Sequence, residues 1–154
     1  MYRRLALVAL AGLLVMGLVG AGLAWAGGPN LGRPAFPALS SPTMILQYGL
    51  RGAAVYDKAL KRWSVHRMTT ITRRKVAGHV NQVNQNLALA AGLHEVAVYD
   101  YRKHAWQVYR PAPVDDSTGD LRRNLVLTPA YAKVRLLNGT FVVYRNGRWS
   151  RVSR

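Results

Sequence analysis

Three times along this 154-residue chain the same short pattern returns. Residues 54–67, Ala-Val-Tyr-Asp-Lys-Ala-Leu-Lys-Arg-Trp-Ser-Val-His-Arg, match residues 97–110, Ala-Val-Tyr-Asp-Tyr-Arg-Lys-His-Ala-Trp-Gln-Val-Tyr-Arg, at seven of 14 positions. A looser copy spans Val143 to Val152, with its tip shorter by two residues. Each copy reads as strand, polar tip, strand. Counting back from the tips sets Asp57 opposite Arg62 and Tyr56 opposite Trp63. The same count pairs Tyr99 with Trp106 and Tyr144 with Trp149. Aromatic pairs across two strands are a standard means of holding a hairpin.

The copies lie 43 and then about 45 residues apart, close to the period of propeller blades. The Tyr-Asp…Trp hairpin resembles the strand pair of kelch-type blades. Three units are too few to close a ring within one chain, and the glycine pairs of kelch blades are missing, so a simple propeller is not the expectation. Between the first two copies the apolar period changes. Val76, Val80, Val83, Leu87 and Ala90 fall at steps of four and three, which marks one face of a helix. Thr72 is placed to cap its start and Gly92 its end. The expected fold is therefore α+β: one small antiparallel sheet of three β-hairpins, packed by a helix near 73 to 91.

The carboxyl-terminal hairpins carry Asn138-Gly139 and Asn146-Gly147, and Asn-Gly between alternating strands signals a two-residue turn. The register implied by those turns puts Leu136 opposite Phe141 and Val134 opposite Val143. Across the second turn Arg145 opposes Arg148, Tyr144 opposes Trp149, and Val142 opposes Arg151. Alternation then divides the meander into two faces. Val134, Leu136, Phe141, Val143 and Val152 form the core side. Lys133, Arg135, Tyr144, Trp149 and Arg151, with Thr140 and Val142, form the other. Cations among flat aromatics suit a ligand with stackable rings and a charged backbone.

The hairpin tips repeat the charge: Lys58, Lys61 and Arg62; then Arg102, Lys103 and His104; then Arg145 and Arg148. If the hairpins run side by side in one sense, their tips make one positive edge. Across the whole chain 22 Lys and Arg stand against six Asp and Glu, a net charge of +16. Such a balance favours a polyanion: nucleic acid, anionic cell-wall polymer or acidic polysaccharide.

Met1-Tyr-Arg-Arg4 begins an export signal. An uncharged stretch from Leu5 to Ala26 follows, and Ala24-Trp-Ala26 offers the small residues of a cleavage site. The stretch is also long enough to span a bilayer, so residues 1–26 are expected to be a signal peptide or a retained membrane anchor. Cleavage would leave a net charge of +14. Residues 27–42 carry four prolines and read as a linker, with the basic domain occupying 43–154.

Enzymatic chemistry has little to draw on. The chain has no cysteine and only six carboxylates. His66, His79, His94 and His104 lack metal-ligand spacing. Asp115-Asp-Ser-Thr-Gly-Asp120 lacks the alternation of a calcium loop. No phosphate-binding loop, dinucleotide fingerprint or nucleophile elbow occurs. No cofactor or metal is expected. The sequence points to an exported, non-enzymatic polyanion-binding protein. The alternative is a structural subunit of a cell-envelope assembly, such as a secretion machine or surface filament, whose strands pair with envelope proteins or with further copies of the chain.

Overall fold

In the computed structural model, residues 28–33, 37–70, 82–114 and 124–153 are described. They form twelve strands and no helix. The strands are β1 (Leu39–Ser40), β2 (Met44–Gly49), β3 (Gly52–Asp57), β4 (Arg62–Arg67), β5 (Gln82–Val83), β6 (Leu87–Ala91), β7 (Val96–Asp100), β8 (Ala105–Tyr109), β9 (Leu125–Leu127), β10 (Tyr131–Arg135), β11 (Phe141–Arg145) and β12 (Arg148–Val152). Each successive group of four makes one antiparallel sheet in chain order. The fold is all-β, three sheets instead of one, and the α+β expectation is overturned.

The helix expected near 73 to 91 gives way to strands in the part of that span the structure describes. Residues 82–91 of that span form β5, a turn and β6; the remainder lies outside the described residues. Asn84 Oδ1 accepts the amides of Asn86 and Leu87 at 2.9 Å each, which makes a turn where a helix would need to continue. All five residues of β6 are buried. A strand buried on both faces shows no alternation, so its apolar run mimics a helix segment.

The sheets stack face to face. Met44, Leu46, Tyr48, Ala53 and Val55 of the first sheet meet Ala88, Ala90 and Tyr99 of the second. On its other side the second sheet offers Leu87, Leu89, Ala91, Val96 and Val98 to Leu125, Ala132, Val134, Val142 and Tyr144 of the third. The second sheet is thus covered on both faces. Its alanines let it approach the larger side chains of the first sheet closely.

The same bonds close both seams. Tyr99 donates its hydroxyl to Asp57 Oδ2 at 2.9 Å, and Tyr144 donates to Asp100 Oδ2 at 2.7 Å. The Trp106 indole donates to the Ser64 carbonyl, and the Trp149 indole to the Gln107 carbonyl, each at 3.1 Å. In these four bonds the earlier sheet accepts and the later sheet donates, at partners 42 to 44 residues apart, while Tyr48 of the first sheet donates the other way, to the Ala91 carbonyl at 2.7 Å. An arm of residues 28–33 lies on the first sheet. Leu31 is buried against Gly49, its carbonyl accepts the Arg51 amide, and Asn30 accepts from the Arg67 guanidinium.

The expected hairpin registers hold for Tyr56 with Trp63, Tyr99 with Trp106 and Tyr144 with Trp149. Asn146 and Gly147 both have positive φ and form the two-residue turn. The Asn138-Gly139 turn does not. There only Gly139 is left-handed, Leu136 pairs with Thr140, and three residues form the loop. The hairpin slips by one: Val134 opposes Val142, not Val143, and Arg135 opposes Phe141.

Candidate functional site

Asp57 and Asp100 end the third strand of their sheets and shape the tips. Asp57 Oδ1 accepts the amides of Ala59 and Leu60, and Asp100 Oδ1 accepts that of Arg102. The tip between β3 and β4 meets the next through His104 Nδ1, 2.6 Å from Asp57 Oδ2. That tip meets the third through Lys103, which donates to the Gly147 carbonyl at 2.6 Å. The three tips therefore run side by side along one edge. Lys61, Arg62, Arg102, Lys103, Arg145 and Arg148 are exposed along it. Lys58 is half-buried, folded back onto the Ser41 carbonyl at 2.5 Å.

The slipped register relocates the aromatic half of the expected site. A one-residue slip moves a strand's side chains to the opposite face. Tyr144 is 1% exposed and bonded to Asp100, and Trp149 packs beside it against the second sheet. Arg151, opposite Val142, shares that side while staying exposed. Tyr144 and Trp149 are therefore seam residues, and the expected face of Lys133, Arg135, Tyr144, Trp149 and Arg151 is corrected accordingly. Lys133 and Arg135 instead share the outward face of the third sheet with Tyr131, Phe141, Val143, Arg145 and Arg148. Lys133 Nζ sits 4.2 Å above the centre of the Phe141 ring.

This outward face departs from its equivalents in a consistent direction. Where the second sheet turns Leu89, Ala91 and Asp100 toward its successor, the third places Lys133, Arg135 and Arg145. The first sheet has Leu46, Tyr48 and Asp57 there. Apolar and acidic positions have become cationic. The repeat alignment of Asp57, Asp100 and Arg145 carried that signal in the sequence, and the partners Tyr131 and Phe141 required the true register.

The remaining ionisable clusters are bonded across seams or within sheets. Glu95 lies 2.7 Å from His66 Nε2 and also accepts from Arg110. Burial raises its pKa, but those two bonds outweigh burial and hold it below the usual carboxylate value. Asp57 follows the same logic: burial raises it, and bonds from His104, the Leu60 amide and Tyr99 bring it lower. Burial first, then the neighbouring carboxylate, pushes the Tyr99 and Tyr144 hydroxyls well above their ordinary value. These tyrosines remain neutral donors. Among the described residues no group of His, Asp or Glu could hold a metal ion. An open concavity of about 360 Å³ beside the first strands is lined by Leu39, Ser40, Gln82, Val83, Asn84 and Leu127, with no ionisable side chain. Arg122 and Arg123 and the leader, residues 1–26, lie outside the described residues.

No protein-family model matches the chain, and no curated protein matches it. Among solved structures, it is similar to the N-terminal domain of Nup159, at 10% identity and a TM-score of 0.44, over 76% of this chain and 29% of that one. An S. cerevisiae complex of Dbp5 with Nup159, Gle1, IP6 and ADP gives 11% identity and a TM-score of 0.44, over 75% of this chain and 28% of that one. Hsv2 of Kluyveromyces marxianus gives 15% identity and a TM-score of 0.36, over 77% of this chain and 37% of that one. The chain thus spans between about a quarter and two fifths of the length of these structures.

Proposed function

We propose that this is an exported, non-enzymatic protein that binds a polyanion through the tip edge and the outward face of its third sheet. The observation that carries the reading is the replacement of Leu89, Ala91 and Asp100 by Lys133, Arg135 and Arg145 at matching positions. Cations in place of core side chains give a sheet face suited to anionic ligand. The tip cations Lys61, Arg62, Arg102, Lys103 and Arg148 extend the same positive field along an adjoining edge. Phe141 and Tyr131 add flat apolar surface between the charges. The uncharged leader after Arg3 and Arg4 supports delivery across a membrane, to the periplasm, cell surface or medium.

Such binding is dominated by released counterions and weakens steeply with salt. The test is titration of heparin and of a single-stranded DNA oligonucleotide at several salt concentrations. Affinity is expected to fall by orders of magnitude from low to high salt. Replacing Lys133, Arg135 and Arg145 together by glutamine is expected to lower the logarithmic salt slope on DNA by about two. Salt-independent binding, or a triple variant with an unchanged slope, refutes the reading.

A further inference from the structure

The face of the first sheet that points away from the second carries the residues that make each seam; among the described residues the arm of residues 28–33 lies on it, with Leu31 against Gly49 and Gly28 beside Gln47 and Trp63, and no sheet packs there. Tyr56 and Trp63 occupy the positions of Tyr99 and Trp106, and of Tyr144 and Trp149. Their rings pair in the same way, with centroids 5.4 Å apart against 5.6 Å and 5.3 Å for the other two pairs. In the second and third sheets this pair spends both polar hydrogens on the preceding sheet, the hydroxyl on an aspartate and the indole on a carbonyl. Neither the Tyr56 hydroxyl nor the Trp63 indole has a hydrogen-bond partner among the described residues. Both side chains are half-buried, and Val65 beside them is 39% exposed.

The tip extends the likeness. Lys61 and His104 stand at matching positions, four residues after Asp57 and Asp100, with positive φ of 51° and 50°. His104 uses that position to reach Asp57 of the preceding sheet. Lys61 is exposed at the same place on the outermost tip. The first sheet therefore holds the full donor set of a seam: hydroxyl, tip cation and indole.

We infer that this face, with the arm of residues 28–33 displaced from it, docks an antiparallel β-sheet of a partner polypeptide, one that presents a carboxylate at the position of Asp57 and Asp100. The carboxylate would accept from Tyr56 and Lys61, and a backbone carbonyl of the partner's outer strand would accept from Trp63. Two features of the chain support this occupant. The seam chemistry is already used twice within the fold, and a net charge of +16 favours an acidic partner. A second unaltered copy is the poorer fit, because its third sheet offers Arg145 where the carboxylate belongs, with Lys133 and Arg135 behind it.

That mismatch supplies the probe. Arg145→Asp restores the acceptor on an exposed residue, and K133L/R135A/R145D restores the whole repeat pattern. Sedimentation velocity over a concentration series then reads self-association, with far-UV circular dichroism confirming the β fold. The restored variants are expected to associate at least about tenfold more tightly than the unaltered chain, since one charge-assisted bond regained is worth that much. Adding Tyr56→Phe and Trp63→Ala is expected to remove the gain. If neither variant gains association, or the gain survives loss of Tyr56 and Trp63, the inference is wrong. The single variant decides the matter should the triple variant misfold.

Discussion

Asp57 is fully buried and accepts four hydrogen bonds, so Asp57→Ala should expose what a seam is worth. The Ala59 and Leu60 amides lose their acceptor at the tip, at about 1 kcal/mol each. The Tyr99 hydroxyl, on a residue 1% exposed, is left without a partner, which costs about 1–3 kcal/mol. Together the loss is about 3–5 kcal/mol, a large share of the roughly 5–15 kcal/mol that holds a domain folded. Asp57→Asn keeps one carbonyl acceptor and the side-chain shape, so its cost should be about 1–2 kcal/mol. Urea unfolding, followed by tryptophan fluorescence and far-UV circular dichroism, measures both. A double-mutant cycle with Tyr99→Phe should return a coupling of about 1 kcal/mol or more. If Asp57→Ala costs less than about 1 kcal/mol, or Asp57→Asn costs as much as Asp57→Ala, then the seam bond does not do what the geometry implies.

Acid should weaken the protein by a defined route. Asp57 and Glu95 are both held below ordinary values of 3.8 and 4.5, so their contribution is present above those values and is lost as pH falls beneath them toward the folded values. Urea midpoints measured down through that window should drop, and Asp57→Asn should flatten part of the decline. Gly52 has φ of +146°, and a Cβ there would lie 2.2 Å from the His66 carbonyl oxygen, so Gly52→Ala should destabilise by about 3 kcal/mol or more, read as a lowered urea midpoint. Trp149→Ala should also lower stability, through the lost indole bond to Gln107 and lost packing on Tyr109 and Tyr144, while the salt slope of DNA binding stays unchanged.

Local pairing was legible in the sequence wherever a tip fixed the count. The Tyr–Trp registers and the Asn146-Gly147 turn follow from residue chemistry within a few positions. What lay beyond was set by contacts between sheets. Val83, Leu87 and Ala90 keep a helical period, yet Ala88 and Ala90 belong to a strand whose small side chains let one sheet close on another. Asn138-Gly139 supports either a two- or a three-residue loop, and the choice is made by which strand face must meet the second sheet. Tyr144 and Trp149 match Tyr99 and Trp106 in the repeat, and that likeness marks them as core. The candidate surface was half legible: Lys133, Arg135, Arg145 and Arg148 were marked by charge, while their neighbours Tyr131 and Phe141 depended on a register that sequence alone left open.

The repeated Tyr–Asp and Trp–carbonyl bonds make each sheet an insertable module. A duplicated second unit spliced after itself would find an aspartate ahead of its tyrosine and a tyrosine ahead of its aspartate, so both new junctions would be chemically complete. An insertion of half a unit would leave a strand pair without a face to cover it. A chain of this design can therefore lengthen only in whole sheets, and its Tyr, Trp and Asp positions act as punctuation that any such rearrangement must keep in frame.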